Sequence, residues 1–194
     1  MRKYLLPLLY TIFIIFYLIS GIFNFAYDRI KMLEEQKLDV SQLYAENMKQ
    51  IDENTFVAIT NDPQFIFLNN ENIDIHTIKY TLKQGGTGSK ALYYTTKKDN
   101  IWSARKMLLP KAEEQKEVKY ILPKNNIKSI RLDVSGTFVE IIEFNEIIIN
   151  YRPKFIEYFS VTYMQIAKFI VLPLIISSVI LYFYDLYEHY LKKQ

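Results

Sequence analysis

Cysteine is absent from the chain, which excludes both a disulfide framework and thiolate chemistry. Histidine occurs only at positions 76 and 189, far apart and without neighbours at metal-ligand spacing, so no metal site is expected. Of five glycines, three fall in Gly85-Gly86-Thr87-Gly88. That loop lacks the spacing and the following helix of a phosphate-binding P-loop. Neither a GxSxG nucleophile elbow nor a DxDxDG-type calcium loop is present, and Asp62, Asp99 and Asp133 are scattered. Glu140 and Glu143 stand three apart in a strand-like run, where alternation sends them to opposite faces, so they cannot act as a glycosidase pair. The chain is therefore expected to be no enzyme and to carry no cofactor. An excess of one charge sign is also lacking. Residues 28–154 hold nineteen Lys/Arg and eighteen Asp/Glu, which argues against a nucleic-acid partner.

What the sequence has in abundance is apolar length at both ends. Residues 4–27 contain no charge at all. As a helix this run is about 36 Å long at 1.5 Å per residue, enough to cross a hydrocarbon core of about 30 Å. It is too long for the apolar part of a cleaved signal peptide and has no small-x-small site at its end. It has no polar face, as a buried core helix would. Residues 158–184 form the second predicted span, with Lys168 as the one charge, placed to snorkel, and Pro173 as a tolerated kink. Tyr182, Phe183, Tyr184, Tyr187 and Tyr190 read as an interfacial aromatic belt. Arg2 and Lys3 before the first span, and Lys192 and Lys193 after the second, hold both termini in the cytoplasm by the positive-inside tendency. The expected address is the cell membrane, crossed twice, with the central domain outside and residues 185–194 as a cytoplasmic tail.

Between the spans the period changes. Residues 28–50 lack Gly and Pro, and Ile30, Leu33, Lys37, Val40 and Tyr44 fall three or four apart, which predicts a connecting helix. From Phe56 the pattern alternates with period two. Short strands are expected at 56–60, 65–68, 73–82, 91–96, 117–122, 127–134 and 138–151, the last supplying one or two strands. Ile78, Tyr80 and Leu82 share one face, and Ile130, Leu132 and Val134 another. About eight strands with no helical pattern between them predict an antiparallel β-sandwich of jelly-roll type over residues 51–152. The fold class is thus a membrane-anchored all-β protein, with two transmembrane helices flanking an extracytoplasmic sandwich.

The order of several short motifs resembles a known group. Asn61-Asp62-Pro63-Gln64-Phe65, Leu92-Tyr93-Tyr94-Thr95, Ile101-Trp102-Ser103, Ile121-Leu122-Pro123 and Ile130-Arg131-Leu132-Asp133, closed by residues 139–149, follow one another over roughly residues 56–151. In this order they resemble the small β-sandwich domains that accompany bacterial surface-polysaccharide membrane glycosyltransferases. Val134 stands where that pattern often has proline, and the chain has no Asp-x-Asp nucleotide-sugar motif. The resemblance implies the sandwich without the transferase: a non-catalytic accessory subunit of cell-surface polysaccharide synthesis or export.

Trp102, the only tryptophan, lies among Lys97, Lys98, Asp99, Arg105 and Lys106. Sugar rings present C–H faces that stack on aromatic planes, so Trp102 with Tyr93 or Tyr94 forms a candidate platform; plugging the sandwich core is the competing role of the same indole. Arg131 and Asp133 share a strand face, as sugar-hydroxyl ligands or as a structural ion pair. The expected partners are the bilayer, a polysaccharide or lipid-linked glycan, and a membrane glycosyltransferase or transporter. Two alternatives keep the topology: a structural subunit that binds protein only, and a co-polymerase-like regulator of chain length.

Overall fold

A computed structural model describes residues 2–114, 116–124 and 126–191. They divide into two units, one of residues 28–160 and one holding the two apolar ends.

The apolar unit holds α1 (Arg2–Lys31) as far as residue 27, the helix's last turn belonging to the sandwich unit, and α2 (Tyr163–Leu191). Within it the Tyr10 hydroxyl donates to the Ile170 carbonyl at 3.2 Å, and the rings of Tyr17 and Phe169 meet edge to face at 5.1 Å. Ile14, Ile15, Phe16, Ile175 and Val179 stay exposed. Lys168 is exposed as well, while Lys192 and Lys193 lie outside the described residues. The second helix starts later than its apolar run suggests. Residues 155–159 form a 3-10 turn in the other unit, where Tyr158 is 6% exposed. Its ring and hydroxyl are used by the sandwich, which outweighs the hydropathy of the sequence around it.

Among the described residues, 28–160 fold as a two-sheet antiparallel sandwich of twelve strands, β1 (Gln36–Leu38), β2 (Leu43–Glu46), β3 (Met48–Asp52), β4 (Thr55–Ala58), β5 (Gln64–Leu68), β6 (Thr77–Gln84), β7 (Ala91–Thr96), β8 (Met107–Leu108), β9 (Ala112–Glu114), β10 (Glu117–Ile121), β11 (Ile127–Asp133) and β12 (Ile141–Ile149). One sheet runs β3-β4-β12-β6-β10-β9, with β1 also on β12; the other runs β2-β5-β11-β7-β8. From β4 to β12 the chain passes repeatedly between the sheets, so that β4-β12-β6-β10 faces β5-β11-β7-β8. That is the double Greek-key order of a jelly roll.

Alternation explains the core. Ile78, Tyr80 and Leu82 on β6, Ile130 and Leu132 on β11, and Val134 just beyond it are buried to 3% exposure or less. Aromatic side chains bridge the sheets: Phe65 of β5 meets Phe56 at 4.9 Å and Phe144 at 4.7 Å, both edge to face, the geometry ring quadrupoles favour.

The connecting helix expected over 28–50 does not form. The α1 helix ends at Lys31, Met32 adopts φ +46, and the rest is β1, a 3-10 turn at Val40–Gln42, β2 and β3. Asp39 caps that turn by accepting from the Ser41 N–H at 2.9 Å, while the Gln42 side chain accepts from the Asp39 N–H at 3.2 Å. Val40 and Leu43 enter the core. Edge strands of three to five residues leave too little sequence for a period, and pairing with β12, β5 and β4 decides their state. The two short strands β8 and β9 were equally invisible to alternation. Phe138 and Val139, expected in the last strand, precede β12 and are exposed, with Val139 at φ +61.

The Gly85–Gly88 loop is structural. Gly85 has φ +86, and a Cβ there would lie 2.3 Å from the Ile141 carbonyl oxygen, so only glycine fits. Glu140 closes the loop, accepting from the Thr87 N–H and hydroxyl at 2.9 and 2.8 Å and from the Ser135 hydroxyl.

Candidate functional site

The outer face of the five-stranded sheet is assembled by register. Tyr44 lies opposite Ile66, Ile66 opposite Arg131, Arg131 opposite Tyr93, and Tyr93 opposite Met107. One row of side chains, Tyr44–Ile66–Arg131–Tyr93–Met107, thus crosses all five strands. Three strand spacings separate Tyr44 from Tyr93, about 14 Å, the span of an oligosaccharide rather than of one ring. Tyr44 is 65% exposed, Ile66, Arg131, Tyr93 and Met107 are half-buried, and Leu68 is exposed in the neighbouring row. At the Tyr44 end the row opens into a groove of about 400 Å3, whose walls include Leu38, Gln42, Tyr44, Ile66, Leu68 and Asn70.

Arg131 sits at the centre. Its Nε and Nη2 contact the two carboxylate oxygens of Asp133 at 2.6 and 2.8 Å, a bidentate fork, and Nη2 also reaches Asp62 at 3.3 Å. Asp62 in turn accepts from the Gln64 amide at 2.6 Å. The guanidinium carbon lies 4.9 Å from the centre of the Tyr93 ring, within cation–π range. Burial pushes the Asp133 carboxyl above its ordinary value, and Arg131 opposes that push. Two carboxylates against one guanidinium leave this part of the face weakly acidic, with hydrogen-bonding groups set beside aromatic surface.

The structure brings Tyr93, Arg131 and Asp133 together and separates the remaining two of the five expected residues. Tyr94 is one residue on from Tyr93, so it points through the sheet and packs against the core, opposite Ile130. Trp102 lies in the segment between β7 and β8, half-buried, neither plugging the core nor standing free. Arg131, moreover, covers a face of Tyr93, which leaves Tyr44 as the open aromatic of the row. Sequence reasoning missed Tyr44 because 28–50 was read as helix. The alternating Leu43-Tyr44-Ala45-Glu46, buried, exposed, half-buried, exposed, was the available signal. No group of three or more metal-ligating side chains occurs among the described residues.

A second cluster stands where the chain enters and leaves the sandwich. Asp28 lies 3.1 Å from His76 Nδ1, accepts from the Tyr158 hydroxyl at 2.9 Å and pairs with Lys124 at 3.3 Å. Burial, then the Asp28 contact, pushes the Tyr158 hydroxyl well above its ordinary value, so it remains a donor. His76 is thus held by an acid 48 residues away.

No protein-family model and no curated protein matches the chain. Solved structures that resemble it are β-sandwich carbohydrate-binding modules. They include a low-affinity xylan-binding module, CBM86, from Roseburia intestinalis (9% identity, TM-score 0.44, covering 60% of this chain and 94% of that one). The C-terminal CBM6 of the laminarinase LamC from Zobellia galactanivorans shows 11% identity and a TM-score of 0.34 over 60% and 98% of the two chains. CsCBM6-3 from Clostridium stercorarium, in complex with cellobiose, shows 10% identity and 0.33 over 60% and 92%. At these identities no binding residue of those modules carries over to this chain.

Proposed function

We propose that this protein is a non-catalytic, membrane-anchored subunit whose outer sandwich face contacts a glycan or glycolipid in the synthesis or export of cell-surface polysaccharide. The observation that carries the reading is the row Tyr44–Ile66–Arg131–Tyr93–Met107 with its groove. It offers aromatic and aliphatic surface to the C–H faces of sugar rings, and guanidinium, carboxylate and amide groups to their hydroxyls. Affinity at such a face is low, because sugars exchange water hydrogen bonds for protein ones at small net gain. Tethering next to the site of synthesis compensates by raising the effective concentration.

Anchoring is supported by the two helices. Segments of 29 and 26 residues, each with mean hydropathy 2.3, are only 6% and 11% buried over their most apolar windows, so they expose apolar surface that a bilayer would cover. With the termini in the cytoplasm the domain lies outside. The absence of native cysteine makes this testable: in intact cells Lys98→Cys should react with an impermeant maleimide and Glu188→Cys should not, and the reverse pattern would invert the orientation.

The function is tested with the full chain in lipid nanodiscs on an array of cell-surface glycans. Binding should be weak, should fall about two- to tenfold in Tyr44→Ala, as expected for loss of a stacking aromatic, and should be unaffected by Lys98→Ala. A folded wild type that binds no glycan but co-purifies with a membrane transferase or transporter would replace this reading with that of a structural subunit. The exposed flanks of α1 and α2 are the surfaces such a partner would use.

A further inference from the structure

The groove at the Tyr44 end of the row has a chemistry of its own. Its volume of about 400 Å3 falls in the range of small-ligand sites, about 300–1,000 Å3. Ile66 and Leu68 alternate onto its wall from β5, the first half-buried and the second exposed, and the half-buried Leu38 reaches it from β1. Two side-chain amides, Gln42 and Asn70, share that wall. The charged residues lining the groove are one of each sign: Lys37, which pairs with Glu146 at 3.4 Å, and Glu71. The balance favours an uncharged ligand.

Both amides are carried on fixed backbone and keep groups to spare. Gln42 Oε1 accepts from the Asp39 N–H at 3.2 Å, and the Gln42 N–H donors have no partner among the described residues. Asn70 stands on a turn tied down by Asn69, whose side chain donates to the Ile73 and Ile127 carbonyls, each at 2.8 Å, and accepts from the Ile73 N–H at 3.0 Å. The backbone of Asn70 is engaged as well, donating to the Leu68 carbonyl at 2.9 Å and accepting from the Asn72 side chain at 3.4 Å. Its side-chain amide has no partner among the described residues. The groove thus sets an unused donor and an unused acceptor beside an apolar wall, already in place before a ligand arrives. That set matches an acetamido group, whose carbonyl accepts, whose N–H donates and whose methyl needs cover. A sugar hydroxyl in the same place would satisfy the amides but leave the three aliphatic side chains against water.

We propose that this groove is a subsite for an N-acetylhexosamine residue. The sugar ring lies on Tyr44, the acetamido carbonyl accepts from Gln42 Nε2, its N–H donates to Asn70 Oδ1, and its methyl packs on Leu38, Ile66 and Leu68. This names the sugar class of the outer face and rests on the reading of that face as a glycan contact.

The test uses the full chain in lipid nanodiscs and saturation-transfer NMR, with N-acetylglucosamine, N-acetylgalactosamine, glucosamine, glucose and galactose as probes. At least one N-acetyl sugar should bind about tenfold more tightly than its parent hexose, as expected for one buried methyl and one amide hydrogen bond. Its acetamido methyl should receive more saturation than its ring protons. Leu68→Thr and Asn70→Ala, both at exposed positions, should each cut the preference about threefold and leave hexose binding unchanged; either variant suffices should the other fold poorly. Hexoses that bind as well as the N-acetyl sugars overturn the subsite and leave the glycan face standing. Glucosamine that binds as well as N-acetylglucosamine overturns the acetamido contact. A preference that survives in both variants removes it from this groove. No saturation of any sugar overturns the subsite and the glycan face together.

Discussion

Two charge clusters of similar chemistry sit in this domain and have different work to do. At Arg131 the partners Asp133 and Arg131 are two residues apart on one strand. At Asp28 the partners are 48 and 130 residues away, on β6's approach and on the turn before α2. A pair that is local in sequence exists before the fold closes and adds little to it. A pair between distant segments forms only when they meet, so its energy is coupled to folding. The side chains of Asp28 and His76 are 14% and 8% exposed. Arg131 and Asp133 are hardly more open, at 19% and 16%, so the contrast lies in sequence separation, and it marks the second cluster as part of what closes the sandwich around its two chain crossings.

The scale is set by Leu132, which lies between Arg131 and Asp133 but faces inward at 3% exposure. Leu132→Ala should cost about 4 kcal/mol, a lost side chain plus the cavity left behind. Asp28→Ala should cost about 3 kcal/mol, since it removes the largely buried carboxylate that His76, Tyr158 and Lys124 share. Both are measured by urea unfolding of the full chain in detergent, followed by Trp102 emission, the single tryptophan. An Asp28 variant as stable as wild type would erase the distinction between the clusters.

A pH series separates a third acid from these two. Burial pushes the Glu140 carboxyl up, but hydrogen bonds from Ser135, Thr87 and Gly86 together outweigh it and hold the carboxyl below its ordinary value of 4.5. A carboxyl lowered on folding contributes stability above its unfolded value and loses it as pH falls through the folded one. Wild type should therefore lose stability on acidification below about pH 4.5. Glu140→Gln should start less stable at neutral pH and show a shallower loss in that window. Parallel curves would remove Glu140 from the closure of the Gly85–Gly88 loop.

Legibility in the sequence followed the same division between local and distant. The two apolar helices were legible because charge-free length needs no partner. The long central strands were legible because Ile78-Tyr80-Leu82 and Ile130-Leu132-Val134 carry their facing in a period of two. Residues 28–50 were not, since three short edge strands owe their state to β12, β5 and β4 rather than to their own pattern. Of the candidate site, Tyr93, Arg131 and Asp133 were recoverable from one strand's alternation and its neighbour. Tyr44 was hidden by the misread helix. The pairing of His76 with Asp28 has no local signature, because nothing within a window of sequence says that residues 28, 76 and 158 converge.

The smallest expected effect is the sharpest test of the contrast. Asp133→Asn keeps the shape of the side chain and removes its charge. Arg131 retains Asp62 at 3.3 Å and the Tyr93 ring, and burial already disfavours the Asp133 charge that the change removes. The change should therefore cost less than about 1 kcal/mol, because the desolvation of the charge offsets much of its attraction to Arg131. Its consequence should appear in binding instead. Neutralising Asp133 leaves Asp62 as the one carboxylate on Arg131, so the face loses its acidic excess and should tolerate an acidic glycan that the wild type repels. The measurement compares neutral and uronic-acid oligosaccharides on the same array: the ratio of acidic to neutral binding should rise in Asp133→Asn while the unfolding midpoint hardly moves. A midpoint shift as large as that of Asp28→Ala would show that the local pair, too, is coupled to closure of the domain, and the outer face would have to be reassigned from ligand contact to structure.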